Sequence, residues 1–401
     1  MNPAQPRLAA LDVLRGLAVA GMILVVSPGD WGQRYVQLNH ADWNGATAAD
    51  VVFPAFLFSV GAALGLSFPR ALATWDERRE FWTKLLRRTI ALIALGLAVE
   101  ASFVLVEATL APFPDNGGWL GHVRLPGILQ RIGLCYALAG ALLYVTGRRD
   151  AAGVTRINPL SIAACALALL VGYWLLLAFV PVPGVGAGVL TPAGSLPGYI
   201  DRVVFTEPHL WPLGSATGAR PATYDPEGLL STLPATANVL FGALAAWAWR
   251  WNPGRAAVGI AVSGALLIAL GLLLDPVMVI NKRIWTPSFA LLSSGVAAVT
   301  LAALILLARN RSVELLLMPL RVLGGNAILA FLLSTLASRF AMLPIMTDGG
   351  RWVTLQHWGF HRALAFLPDP RFASLLCALA VLAVFTLAIW PLHRRAIHFR
   401  I

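Results

Sequence analysis

The feature that most constrains this chain is the recurrence of apolar runs about as long as a bilayer is thick. A membrane-crossing helix needs about 20 mostly apolar residues. Ten such spans are predicted, at 8–26, 48–68, 89–106, 125–145, 160–180, 229–249, 256–274, 284–308, 322–342 and 373–390. None alternates apolar and polar residues in the manner of a barrel strand. The expected fold class is therefore an all-α polytopic membrane protein, one transmembrane domain over residues 1–401. Only 12% of the residues are charged and the mean hydropathy is +0.74, against about 25% charged in soluble domains. That excludes a soluble cytosolic enzyme, a disordered chain and a nucleic-acid binder.

The excess of 30 basic over 19 acidic residues, a net charge of +11, reads as membrane topology, because Lys and Arg collect in cytoplasmic loops. With the N-terminus inside, 18 of the 30 basic residues fall in inner segments and 9 in outer loops. Both termini are thus expected in the cytoplasm. The loop 69–88, with Arg70, Arg78, Arg79, Lys84, Arg87 and Arg88, carries most of the bias. The longest outer loop, 181–228, holds eight prolines and seven glycines from Pro181 to Pro226, and a connection of that length is usually functional or disordered. The first span carries Asp12 and Arg15 and is too long for a signal-peptide core, so it reads as retained. Cys135, Cys165 and Cys377 all lie in apolar runs, which argues against a disulfide framework and a cysteine metal site.

Ionisable groups inside apolar spans are costly and usually face a partner or a cavity. Asp12 and Arg15, at i and i+3, share a helix face and pair, the plain reading being a structural ion pair. Asp50 opens the second span, where a carboxylate complements the helix dipole. Glu100 has no evident sequence partner. Gln130 and Arg131 lie about 9–10 Å beyond Arg124 along the fourth span, deep enough for Arg131 to require an anion or a carboxylate. The stretch from Asn39 to Pro54 gathers His40, Asp42, Trp43, Asn44 and Asp50 beside a membrane helix. Histidine serves as a base near neutral pH, and Trp43 or Asn44 offers a donor to a developing oxyanion. Taken alone, a histidine such as His40 is more often an interfacial loop residue than a catalyst.

Several ordered motifs resemble the heparan-α-glucosaminide N-acetyltransferase family and its bacterial relatives, a group of transmembrane acyltransferases. They are Leu11-Asp12-Val13-Leu14-Arg15-Gly16, His40-Ala41-Asp42-Trp43-Asn44-Gly45 with Asp50-Val51-Val52-Phe53-Pro54, and Arg124-Leu125-Pro126-Gly127-Ile128-Leu129-Gln130-Arg131. Tyr224-Asp225-Pro226-Glu227-Gly228, Asn281-Lys282 with Trp285, and Gly325-Asn326 complete the set. The resemblance implies acetyl transfer from cytosolic acetyl-CoA, across the bilayer, to an amino sugar or other glycan acceptor on the outer face. His40 matches the family's catalytic histidine, as general base or acetyl carrier, with Asn44 as a supporting donor and Asp42 or Asp50 orienting the ring. Arg7, Asp12, Arg15, Ser27, Arg124, Gln130, Arg131, Lys282 and Asn326 are the expected acetyl-CoA contacts, the nucleotide lying near Arg7 and the Lys84, Arg87 and Arg88 cluster.

Where family members commonly carry an asparagine near the end of the first span, this chain reads Val25-Val26-Ser27-Pro28. Either Ser27 substitutes or the acetyl group is held differently. No metal is expected; His357 and His361, with no local carboxylate ligand, make a weak metal signal. The setting implied is a bacterial inner membrane with His40 on the periplasmic side, and a homodimer is left open. The rival function is a glycan or lipid-linked-sugar transporter or flippase, which would show matched, broken repeats; none is evident.

Overall fold

A computed structural model describes residues 8–69, 72, 74–110, 118–149, 155–218 and 220–399. Arg7, Arg70 and Arg400 lie outside the described residues. The chain is a helical bundle with fourteen α-helices among the described residues. They are α1 (Ala9–Val26), α2 (Ala48–Ser67), α3 (Trp75–Leu110), α4 (Ile128–Thr146), α5 (Pro159–Phe179), α6 (Leu196–Phe205) and α7 (Thr232–Trp251). Then follow α8 (Pro253–Leu274), α9 (Pro287–Leu307), α10 (Arg311–Leu316), α11 (Met318–Gly325), α12 (Ala327–Phe340), α13 (Leu355–Leu364) and α14 (Pro370–Arg394). The only described strands are two short antiparallel hairpins, Arg148–Arg149 with Thr155–Arg156 and Met346–Asp348 with Arg351–Val353.

Each of the ten expected spans coincides with a helix or a helix pair. Among the described residues eight helices are long and apolar enough to cross a bilayer, and nine spans result if the bent pair α11–α12 is one. The exception is α7, which occupies the expected 229–249 span but carries Thr232, Thr236 and Asn238. It is buried along most of its length and packs against α2, α4, α5, α8 and α9. A helix surrounded by other helices has no lipid to satisfy, so it tolerates polar groups that serve the interior. The approach of α2 to α7 is backbone-close: a Cβ on Gly61 would meet the Val239 carbonyl oxygen at 1.8 Å, and one on Gly242 the Phe58 carbonyl oxygen at 1.9 Å.

Two expectations need correction. The segment 69–88, expected as a loop, is largely helix, because α3 runs for 36 residues from Trp75. Thr74 and Glu77 start it by exchanging bonds, Thr74 N–H to Glu77 Oε2 at 2.9 Å and Glu77 N–H to Thr74 Oγ1 at 3.2 Å, a reciprocal cap. Glu80 and Lys84 add an i, i+4 pair. At 1.5 Å per residue α3 is about 54 Å long, so its charged first turns stand clear of a hydrocarbon core about 30 Å thick. The ninth span is not one rod either: α11 and α12 meet at 88°, with Asn326 between them.

Chain alternation gathers the segments 27–47, 118–127, 180–231, 275–286 and 341–369 at one end of the bundle. The segment 180–231 is ordered there rather than trailing. Leu125 N–H donates to His209 O at 3.0 Å, His209 Nδ1 donates to Val123 O at 2.7 Å, and Arg202 donates to Thr223 O.

Candidate active site

The site forms where the loop after α1 folds back onto the first turn of α2. Asp50 is 1% exposed, and burying a carboxylate requires a full complement of donors. Its Oδ2 accepts from Ala41 N–H at 3.0 Å, Thr47 N–H at 2.9 Å and Thr47 Oγ1 at 3.1 Å. Its Oδ1 accepts from His40 Nδ1 at 2.8 Å. An ionised carboxylate only accepts, so Nδ1 bears the ring proton and Nε2 presents its lone pair outward. The helix-opening aspartate therefore does two things at once: it caps α2 and fixes the tautomer and direction of His40.

A second wall comes from the turn between α8 and α9. Gly45 N–H donates to Ile280 O at 2.7 Å, and Asn281 Nδ2 donates to Asn44 Oδ1 at 3.2 Å. Asn281 also pins its own turn, its N–H donating to Thr286 Oγ1 at 3.0 Å and its Oδ1 accepting from Ile284 N–H at 3.0 Å. Trp285 holds a left-handed φ of 54°, unusual for a bulky residue and maintained by its surroundings. Its fully buried ring sits edge-on to Phe53 and Phe289, at 5.5 and 5.4 Å between centroids. The indole N–H donates to Asn238 Oδ1 at 2.9 Å, while Asn238 Nδ2 donates to Ala290 O, Ser293 Oγ and Ser294 Oγ. The polar face of α7 thus fixes a turn whose other product is Lys282, 8% exposed beside His40.

Charge is dense around the pair. The Lys282 ammonium and burial together push the His40 imidazole below its ordinary value of 6.5, with Asp50 pulling the other way. Burial lowers Lys282 in turn, while Glu227 favours its charged form. Burial opposes ionisation of Glu227, yet Arg124, Lys282 and Arg131 hold its carboxyl down to about 2. Arg124 bonds Asp225 at 2.8 and 2.5 Å and Glu227 at 2.5 Å, and lies 3.6 Å from Glu100. Burial works against the Arg124 charge, and these carboxylates overcome it, raising the guanidinium well above its ordinary value. Arg131 is 1% exposed, its Nη2 donating to Gly228 O at 2.8 Å and Ser231 Oγ at 2.5 Å, with its Cζ 5.0 Å from the Trp285 ring centre.

The residues expected to act together divide into two groups. His40, Asp50, Asn44 and Lys282 meet at one end, with Arg131 and Arg124 behind them. Asp50 orients the ring; Asp42, the other candidate, is exposed. The Trp43 indole cannot serve as an oxyanion donor, because it is committed to Leu190 O at 2.8 Å. Among the described residues Asn44 has only its oxygen engaged, by Asn281, which leaves its amide N–H groups available. Glu100 does have a partner, Arg124, more than twenty residues away. Gln130 donates to Leu125 O at 3.2 Å, and Ser27 Oγ pairs with Ser338 Oγ at 2.7 Å.

At the opposite end of α1, Asp12 and Arg15 form their i, i+3 pair at 3.1 Å. Asn326 fastens the C-terminal tail, donating to Ile397 O at 3.1 Å and accepting from Phe399 N–H at 2.7 Å. His357 and His361 stack at 4.0 Å between ring centres, and no cluster of three or more His, Cys, Asp or Glu suited to a metal occurs among the described residues. Sequence reasoning missed Asn238 and Asn281 as scaffold, and it missed Asp201. Burial, with Asp225 adding to it, raises the carboxyl of Asp201 to about 7 beneath Gly228. Asn281 stands in a motif without an assigned role, and Asn238 and Asp201 are polar residues in segments that carry no signal.

The chain is a multi-pass helical membrane protein in which a buried aspartate aims a histidine at one end of the bundle. Known sequences narrow that class. Residues 7–247, over half of the chain, match the family described as heparan-alpha-glucosaminide N-acetyltransferase, catalytic, and the chain belongs to that family. His40, Asp50, Arg131 and Glu227 lie within the matched segment and Lys282 beyond it. Among curated relatives, human heparan-alpha-glucosaminide N-acetyltransferase is 28% identical over 330 residues, covering 74% of this chain and 48% of its own. The mouse protein of the same name is 28% identical over 316 residues, covering 71% and 46%. The chain therefore spans about half the length of the curated relatives it matches.

Proposed function

We propose that this chain is a transmembrane acetyltransferase, taking acetyl from cytosolic acetyl-CoA and delivering it to an amine on an amino sugar or other glycan at the outer face. The observation that carries the reading is the His40 Nδ1 to Asp50 Oδ1 bond of 2.8 Å. It leaves Nε2 as a fixed base on a neutral imidazole. A protonated amine cannot attack a carbonyl, so the acceptor must be neutral at nitrogen and shed a proton as the C–N bond forms; Nε2 takes that proton and returns it to the departing sulfur. The same lone pair would accept acetyl in a two-step route. Asn44 stands beside it as an available amide donor.

The acetyl-CoA nucleotide, a polyanion, suits the opposite end of the bundle. Asp12 with Arg15, and Asn326, belong to that end, and Asp12 lies about 21 Å along α1 from its site-end terminus. The pantetheine arm would cover that distance between helices. Arg124 and Gln130 already satisfy protein groups, so their part in this reading is to brace the site. The transporter alternative gains one broken span, α11–α12, with no matching second break among the described residues.

The test uses purified protein, acetyl-CoA and glucosamine. Acetylglucosamine and free CoA should appear in equal amounts with the wild type. Neutralising Arg7 should raise the KM for acetyl-CoA and leave that for glucosamine unchanged; an unaltered KM would remove Arg7 from the site.

A further inference from the structure

Lys282 is a buried cation of this site whose ammonium the chain does not engage among the described residues. Its side chain is buried to 8% exposure, yet among the described residues its ammonium makes no hydrogen bond and no ion pair. Of its neighbours, Arg124 is taken by three carboxylates and Asp50 by its four donor groups, while Arg131 gives Nη2 to Gly228 and Ser231 and turns its guanidinium to the Trp285 ring, leaving Nε and Nη1 without a hydrogen-bond partner among the described residues. Nor is Lys282 loosely placed, since Asn281 on one side and Trp285 on the other are bonded into the scaffold. Burying a cation without a bonded anion costs several kcal/mol, and a protein meets such a cost where an anion forms during its reaction.

We propose that the Lys282 ammonium is the group that receives negative charge on the thioester carbonyl oxygen as His40 promotes transfer. This deepens, and rests on, the acetyltransferase reading. In the step, the amine lone pair forms the N–C bond and the carbonyl π pair moves onto oxygen, opposite Lys282 Nζ. His40 Nε2 takes the amine proton. The oxygen pair then re-forms the C=O bond, the C–S bond breaks, and sulfur leaves with its electrons and collects the proton from His40. Charge balances throughout, and no further reactant is needed. The removal of Trp43 from the oxyanion role leaves this position open for Lys282, with Asn44 as the neutral donor beside it.

The charged groups facing Lys282 are Glu227 from the loop before α7, Asp50 from α2, Arg131 from α4, Arg283 from its own turn, and His40. Of these, Lys282 is the cation whose charge can be lost at alkaline pH, because arginines stay protonated. The experiment measures acetyl transfer from acetyl-CoA to glucosamine by wild type, Lys282→Met and Lys282→Arg in nanodiscs, across pH. Lys282→Met should lose about 10²- to 10³-fold in kcat, with both KM values within about threefold. Lys282→Arg should recover part of that rate and lose the alkaline fall that the wild type shows.

A wild type that transfers nothing overturns the acetyltransferase reading itself, and this proposal with it. An active wild type with Lys282→Met inside threefold of its kcat overturns the proposal alone. So does a rise confined to the glucosamine KM, which would make Lys282 an acceptor contact. Should Lys282→Met fail to fold, the pH profiles decide: an alkaline limb unchanged in Lys282→Arg overturns the proposal.

Discussion

At the scale of single residues, the account turns on which partner each buried group has. His40 is useful as a base only while neutral, and both Lys282 and burial hold its imidazole below 6.5. Activity should therefore rise with pH through a value below 6.5 and stay level through neutrality. Asp50→Asn removes the charge that pulls the imidazole upward, so the acid limb should move to still lower pH. The same change loosens the ring and should lower kcat by at least tenfold. A kcat-versus-pH series on the two proteins checks both signs; an acid limb moving upward in Asp50→Asn would refute the assignment of Asp50. Gly228 supplies a second residue-scale case. A Cβ there would lie 1.9 Å from Asp201 Oδ2, a collision with a fully buried carboxylate. Gly228→Ala should destabilise by about 1–3 kcal/mol, read as a lower thermal midpoint, and shift the carbonyl that holds Arg131.

At the scale of elements, Arg124 carries the ion pairs that tie the loop before α7 to the bundle. Arg124→Ala would strand Asp225, Glu227 and Glu100, and breaking a buried ion pair costs about 3–5 kcal/mol. The expected result is a large drop in thermal midpoint and protease cutting within 206–231, with Arg124→Lys intermediate. Helix contacts are as specific: Gly61→Val would drive α2 off the Val239 carbonyl and lower both stability and acetyl transfer, since α2 carries Asp50. These elements also show what the sequence could and could not disclose. Helix positions were legible because a bilayer imposes length and apolarity on each span separately. The α3 extension was not, because its first turns are charged and their helicity comes from the Thr74–Glu77 exchange and i, i+4 pairing rather than an apolar stripe. The 88° bend at Asn326 was hidden because both arms are apolar. The His40 and Asp50 pairing was half legible: both lie in one motif, but choosing Asp50 over Asp42 required knowing that the loop turns back onto α2. Arg124 reaches Asp225 and Glu227 from more than a hundred residues away, and Lys282 comes to His40 from farther still, relations that no local pattern encodes.

At the scale of the whole molecule, the described loops alternate between two ends, and the proposed chemistry assigns each end a compartment. Cysteine introduced at Ala216, exposed at the His40 end, should react with a membrane-impermeant thiol reagent on intact cells. Cysteine at Glu80, exposed at the other end, should react only after permeabilisation. The reverse pattern would place His40 inside. The central claim is that acetyl alone crosses the bilayer, by way of His40. It is tested most directly with proteoliposomes sorted by orientation, radiolabelled acetyl-CoA on the Glu80 side and glucosamine on the His40 side. The account predicts labelled acetylglucosamine on the His40 side with CoA retained on the other. It predicts a loss of at least about 10² in His40→Ala, with acetyl-CoA affinity near that of the wild type. Substantial transfer by a folded His40→Ala protein, or acetyl transfer only when both substrates share one side, would contradict it.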